Sequence, residues 1–235
     1  MAIKAVLFDL DATLLPMDQD VFLGMYFKLL AGKLAGYGYD PKGVVAGIWK
    51  GSDAMIANDG TKLNEEVFWE AFALAVGERV YADKYIFEEF YEKEFAATKT
   101  LCGYNPKAAQ LVNKIKDSGM RVVLATNPLF PEVATRQRAN WAGFELEDFE
   151  FFTSYENTGF CKPAPGYYTY IADRLGLAAE ECLMVGNDVS DDMSAVKVGM
   201  QVFLHTDCLI NTKNEDISQY PHGGFDELDE FIFKA

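Results

Sequence analysis

Two aspartates, Asp9 and Asp11, stand two residues apart directly after the apolar run of residues 5–8. Alternate side chains of an extended strand point to the same side, so we expect the two carboxylates to face one direction. Their charges repel each other unless a cation or a shared proton compensates them. The pair therefore indicates a metal site, a nucleophile with a partner acid/base, or both.

Further polar groups follow other apolar runs. Thr126 and Asn127 come after residues 121–125, and Lys162 lies in a loop just ahead of a helix that begins at Pro165. Taken singly, such residues are typical of turns, helix caps and solvated loops. The carboxyl ends of parallel strands, however, meet at one edge of a sheet, which is where ligands bind in open α/β folds.

A second group of carboxylates follows residues 183–186. Asp191 and Asp192 fit the start of a helix, where the macrodipole favours negative charge, whereas Asp188 follows the strand too closely for that explanation. Carboxylate oxygens favour Mg²⁺. A hydroxyl and an ammonium group can hold phosphoryl oxygens, and aspartate is a competent nucleophile for phosphoryl transfer.

The elements that position these groups alternate from about residue 100 onward. Strands alternating with helices predict an α/β fold, a doubly wound parallel sheet with helices on both faces. The predicted strands are residues 4–10, 121–125, 151–153, 183–186 and 201–204. The predicted helices of this part are residues 105–118, 131–142, 165–176, the segment that ends at Gly199, and residues 226–233.

Residues 17 to about 98 show only helical spacing, which predicts an inserted all-helical subdomain. We therefore expect a core of residues 1–16 and 99–235 and a helical cap of residues 17–98. The cap aromatics are interpreted as its own core, namely Phe22, Tyr26, Trp49, Phe68 and Trp69. The candidates for substrate contact in the cap are Lys50, Ser52 and Asp53.

Composition narrows the function classes. The 235 residues carry a net charge of −15, which argues against binding to nucleic acid or to anionic membranes. The four cysteines have no CxxC spacing and only two histidines are present, so we expect reduced thiols and no zinc site. Neither a signal peptide nor a long apolar segment is evident, and a cytoplasmic location is expected. Nothing indicates the oligomeric state.

Four motifs in order resemble those of the haloacid dehalogenase-like (HAD) hydrolases. The resemblance runs from Ala5 to about Leu204 and implies a Rossmann-like core with a C1-type cap. The motifs are Asp9-x-Asp11-x-Thr13, then Thr126, then Lys162-Pro163, then Gly186-Asn187-Asp188-x-x-x-Asp192.

The resemblance implies a Mg²⁺-dependent phosphatase that acts on a small phosphorylated metabolite through an aspartyl-phosphate. Asp9 would be the nucleophile, and Asp11 would protonate the leaving group and then activate water. Thr126, Asn127 and Lys162 would bind the phosphoryl group, and Lys162 would also pair with the nucleophile.

The implied magnesium ligands are Asp9, the backbone carbonyl of Asp11, and Asp188, with Asp192 or Asp191 in support. Two positions depart from the family pattern. Ala12 replaces the usual glycine, for which we expect a modest local adjustment. Asn187 precedes Asp188, which leaves open whether Asn187 takes a ligand or a supporting place.

Two other functions compete with this interpretation. A 2-haloacid dehalogenase uses the same nucleophile, but its halide leaving group needs no proton, and Asp11 therefore favours phosphoryl transfer. A non-catalytic phosphate- or metal-binding regulatory protein is the third possibility. The large helical insert and the Lys162-Pro163 spacing fit that function poorly.

Overall fold

A five-stranded, all-parallel sheet forms the centre of the protein, in the order β2-β1-β3-β4-β5. The structure is a computed structural model that describes residues 2–234, so Met1 and Ala235, at the ends of the expected core, lie outside it. The strands are β1 (Ala5–Phe8), β2 (Arg121–Leu124), β3 (Cys182–Gly186), β4 (Gln201–His205) and β5 (His222–Gly223). The helices are α1 (Gln19–Ala35), α2 (Pro41–Ile56), α3 (Asn64–Val76), α4 (Lys84–Glu92), α5 (Pro106–Asp117), α6 (Glu132–Trp141), α7 (Pro165–Leu175) and α8 (Phe225–Phe233).

Strand β1 shows why the sheet is buried on both faces. Val6 and Phe8 belong to one apolar cluster, while Ala5 and Leu7 belong to the other, and all four side chains are fully buried. The period of two places alternate residues on opposite faces. The chain runs from β1 to β2 on one side and later to β3 on the other, which leaves a crevice beyond the carboxyl end of β1.

Helices α1–α4 form the insert between β1 and β2, as expected from the helical spacing. The start of α2 is capped locally, since the Asp40 carboxylate accepts a hydrogen bond from Gly43 N at 2.8 Å and Pro41 is the first helical residue. The insert shares one apolar cluster with a face of the sheet, in which Phe22 and Phe72 are grouped with Phe8. Its interior is therefore continuous with the core.

The insert is also tied to the core by hydrogen bonds at the start of α3. Asn64 N donates to Thr158 O at 3.0 Å, and Glu65 N donates to Tyr155 O at 2.8 Å. The fully buried Asn64 amide donates to Phe160 O at 3.2 Å and to Cys161 Sγ at 3.3 Å. This joint lies directly before Lys162, so the insert is held next to the predicted site.

Two sequence predictions need correction, and one strand was missed. Residues 151–153 form only an isolated bridge between Phe152 and Leu124, because the chain turns away after Thr153. The segment before Gly199 is a 3-10 helix, Asp192–Val198, and not an α-helix. Strand β5 was missed because two residues carry no periodicity.

Within residues 2–234, no helix is long and apolar enough to cross a membrane.

Candidate active site

The carboxyl ends of β1, β2 and β3 surround a cavity of about 180 Å³. Most of the predicted site residues line it. They are Asp9, Asp11, Thr126, Asn127, Lys162, Asn187, Asp188, Asp191 and Asp192.

Lys162 lies at the centre of the charged groups and its side chain is only 1% exposed. Its Nζ donates to Asp9 Oδ1 at 2.8 Å and to Asp192 Oδ1 at 2.6 Å. Burial by itself would lower the pKa of Lys162, but the carboxylates of Asp192 and Asp9 outweigh burial and raise it well above its usual value. Lys162 is therefore a permanent cation.

The Lys162 ammonium does not fully offset the cost of burying the Asp9 carboxylate. Burial raises the pKa of Asp9 to about 7, and the Lys162 ammonium only partly opposes that shift. The second oxygen, Oδ2, lies 3.4 Å from Thr13 Oγ1, which donates to Asn187 Oδ1 at 3.0 Å. Asp9 thus has one oxygen held by a cation and another that faces only a weak donor.

Asp11 is held by a residue that the sequence analysis did not identify. The guanidinium of Arg138, on α6, donates to Asp11 Oδ2 and lies 4.4 Å from the centre of the Phe130 ring. Burial raises the pKa of Asp11, and the Arg138 charge opposes the rise. Asp11 Oδ1 is buried without a hydrogen-bond partner among the described residues, so this carboxylate has unused acceptor capacity.

Arg138 has a weak sequence signal. It lies on the buried side of α6 with Ala134 and Ala139, and its side chain is 1% exposed. An arginine at an apolar position of a helix indicates a buried partner, since an unpaired buried charge is costly. Its partner, Asp11, lies 127 residues away in the sequence and could not be named from the pattern.

The two strand-end residues of β2 have different roles. The Thr126 carbonyl accepts hydrogen bonds from Thr153 Oγ1 at 2.6 Å and from Tyr167 Oη at 2.9 Å, which fixes the end of the strand. Asn127 joins two loops, because its Oδ1 accepts from Lys162 N at 3.2 Å and its Nδ2 donates to Asp191 Oδ2 at 3.2 Å.

The carboxylates after β3 are not equivalent. Asp192 uses Oδ1 for Lys162 and Oδ2 for the Asp188 backbone N–H at 2.9 Å, which favours a role in positioning Lys162. Asp188 uses Oδ1 to accept from Ser190 N and Asp191 N, and it still lines the cavity. Burial raises the pKa of Asp188, and burial with two neighbouring carboxylates raises that of Asp191 to about 6.

The two departures from the family pattern are accommodated locally. Ala12 has a φ of 60°, the left-handed conformation that the usual glycine would adopt freely, at a cost of roughly 1–2 kcal/mol. Asn187 is 2% exposed, and its amide donates to Cys208 O at 2.8 Å while its oxygen accepts from Thr13. Both polar atoms of the Asn187 side chain therefore have partners within the protein.

A sequence model of the haloacid dehalogenase-like hydrolases matches residues 3–199 of this chain. The chain belongs to that family. This hydrolase is 27% identical over 207 residues to ribulose-1,5-bisphosphate 5-phosphatase of Halopiger xanaduensis, an alignment that covers 85% of this chain and 83% of the relative.

Two similar solved structures support the fold assignment. A 2-haloacid dehalogenase from Pseudomonas syringae has a TM-score of 0.63 and 21% identity, with 99% of each chain covered. A HAD phosphatase from Thermococcus onnurineus has a TM-score of 0.61 and 20% identity, with 98% of each chain covered. At these identities the similarity shows the fold alone. The two solved structures are of enzymes with different chemistries, a dehalogenase and a phosphatase.

Proposed function

We propose that this hydrolase is a phosphatase that cleaves the monoester of a small phosphorylated metabolite through an aspartyl-phosphate on Asp9. The observation that carries the proposal is that two carboxylates with different partners line one cavity. Asp9 forms an ion pair with Lys162, and Asp11 forms one with Arg138. A dehalogenase has no use for the second acid. The Halopiger relative, whose name is that of a phosphatase, supports the same class.

The proposed reaction has two steps. Asp9 attacks phosphorus while the bond to the leaving oxygen breaks, and protonated Asp11 gives its proton to that oxygen. Water then attacks the aspartyl-phosphate, Asp11 accepts a proton from the water, and inorganic phosphate departs from regenerated Asp9. Lys162, with Thr126 and Asn127, is proposed to hold the phosphoryl oxygens, whose charge is delocalised in the transition state.

The donor set fits a magnesium ion, although the described side chains form no ready cluster of three or more metal-ligating residues. The proposed ligands are Asp9, the backbone carbonyl of Asp11, and Asp188, which supply hard oxygens. Burial, and after it the neighbouring carboxylates, raise the pKa values of Asp9 and Asp191, and the Lys162 ammonium compensates for this only in part. A bound Mg²⁺ would supply that compensation and reduce the repulsion between carboxylates and phosphate.

We propose further that residues 17–98 act as a cap that covers this cavity, with residues 1–16 and 99–235 as the catalytic core. Gln19 and Ile56 of the insert line the cavity together with core residues, which supports the division of roles. A cap that covers the site excludes water and contacts the leaving group.

The test is phosphate release from a panel of phosphomonoesters, including p-nitrophenyl phosphate, with Mg²⁺ and with EDTA. We expect turnover with Mg²⁺ only, and none in Asp9→Asn with an unchanged circular dichroism spectrum. Asp20→Asn, an exposed carboxylate at the start of α1 outside the cavity, is the matched control and should retain full activity. Activity on 2-haloacids with none on any phosphoester would contradict the proposal.

A further inference from the structure

A second and larger cavity adjoins the catalytic one. It has a volume of about 300 Å³ and lies between the helical insert and the loop after β2. Four residues line both cavities, namely Gln19, Ile56, Leu129 and Phe130. We call this second cavity the aromatic chamber. A group attached to a phosphate at Asp9 has the chamber as its neighbouring space.

The chamber walls are dominated by aromatic rings. Phe27 packs against Trp49 with ring centres 5.1 Å apart, and Phe68 lies 6.2 Å from Tyr155 of the core. Of the cap aromatics assigned to a core from sequence, Tyr26 and Trp69 are buried as expected but also line the chamber, while Trp49 is 49% exposed and was assigned wrongly. The rings therefore present apolar surface to a ligand.

The charged residues that line the chamber are mostly acidic. Four acidic residues contribute to its lining, Asp53, Glu65, Glu88 and Glu156. Lys84 is the one basic residue among the described lining residues, and its ammonium lies 3.8 Å from Glu65 and 4.6 Å from the centre of the Trp69 ring. The described lining thus sets one lysine, which lies next to Glu65, against four carboxylates, and this balance of charge disfavours a second phosphate group.

We propose that the substrate is a phosphomonoester of an uncharged, largely aromatic or apolar alcohol, whose organic part occupies the aromatic chamber. This inference rests on the proposed phosphatase function. Pockets that bind such groups are mostly apolar, with a few polar groups that fix orientation. The Halopiger relative is named for a bisphosphate. The acidic lining predicts that this hydrolase does not share that preference.

The test compares kcat/KM for three esters with the Mg²⁺-loaded protein. We expect 2-naphthylmethyl phosphate to exceed both glycerol 3-phosphate and ribulose-1,5-bisphosphate by at least about tenfold, since a buried bicyclic ring gains more than 1.4 kcal/mol from apolar contact. Either hydrophilic ester as the best substrate would overturn the inference and leave the phosphatase function intact. No phosphate release from any ester, p-nitrophenyl phosphate included, would instead refute the proposed function.

A pair of variants tests whether the preference for the naphthyl ester arises in the aromatic chamber. Trp49→Ala should lower kcat/KM for the naphthyl ester by about tenfold and leave glycerol 3-phosphate nearly unchanged, because one aromatic contact is lost. Tyr85→Ala is the matched control, since Tyr85 is an exposed aromatic of the same insert that does not line the chamber. Equal losses on both esters in Trp49→Ala would contradict the assignment.

Binding of 2-naphthylmethylphosphonate, which is not hydrolysed, provides a readout that does not depend on turnover. Calorimetric titration should show tighter binding than for methylphosphonate in the unaltered protein, and this difference should shrink in Trp49→Ala. Equal affinities for the two phosphonates would overturn the inference.

Discussion

Replacing Arg138 by methionine is expected to destabilise the protein by about 3–5 kcal/mol, because the change leaves the Asp11 charge without its partner in a nearly dry site. The Asp11 side chain is only 18% exposed, and its other oxygen already lacks a hydrogen bond from the described residues. Methionine fills most of the space of the arginine stem, so the cost is chiefly electrostatic.

A double-mutant cycle separates the ion pair from packing. In an Asp11→Asn background, where Arg138 is itself a buried charge without its carboxylate, Arg138→Met should cost only about 0–1 kcal/mol, because relief of that charge offsets the lost contacts of the guanidinium. Those contacts are hydrogen bonds to Ala134 O at 3.2 Å and Thr135 Oγ1 at 3.3 Å, and the Phe130 ring. The expected coupling energy is thus about 3–4 kcal/mol.

The measurement is urea unfolding at pH 7 in EDTA, with unchanged m-values as the condition for comparison. Arg136→Met is the matched control on the same helix, since Arg136 is 36% exposed and pairs with Glu132 and Glu147 at the surface. It should cost less than about 1 kcal/mol. An Arg138→Met cost below that of the control, or one equal in both backgrounds, would refute the reasoning.

Three further predictions follow from the site and its joint with the insert. Because the folded-state pKa values of Asp9 and Asp191 are raised to about 7 and 6, stability in EDTA should be highest near pH 4 and fall as pH rises through those values. Calorimetry should therefore show a larger Mg²⁺ stabilisation at pH 8 than at pH 5; equal shifts would contradict the proposed metal site. Asn64→Ala should lower the free energy of unfolding by about 2–3 kcal/mol in urea, since it orphans buried hydrogen-bond partners; a loss below half that value would be inconsistent. Asp192→Asn should lower kcat roughly 100-fold with little change in KM, since the uncharged amide can accept from only one of Lys162 and the Asp188 backbone N–H; an unchanged kcat would contradict the positioning role.

Much of the core architecture could be predicted from local patterns. The runs at β1, β2 and β3 are short, apolar and bounded by turn residues. The helix predicted from residue 105 begins there because its cap, Asn105, accepts a hydrogen bond from a neighbour in sequence, Lys107. The errors fall where local signals are weak. The bridge at Phe152 and the two-residue β5 depend on pairing with a distant strand, which has no signature within so few residues.

The sequence by itself determined which chemical groups the site contains and that they gather at one sheet edge. Residue types and their places after apolar runs are local properties, and parallel strands bring their ends together. Only the tertiary structure decided which residues contact these groups. Arg138 pairs with Asp11, Asp192 holds Lys162, and an acidic aromatic chamber adjoins the site. These contacts join residues far apart in the chain, so they depend on how the helices pack and not on any local pattern.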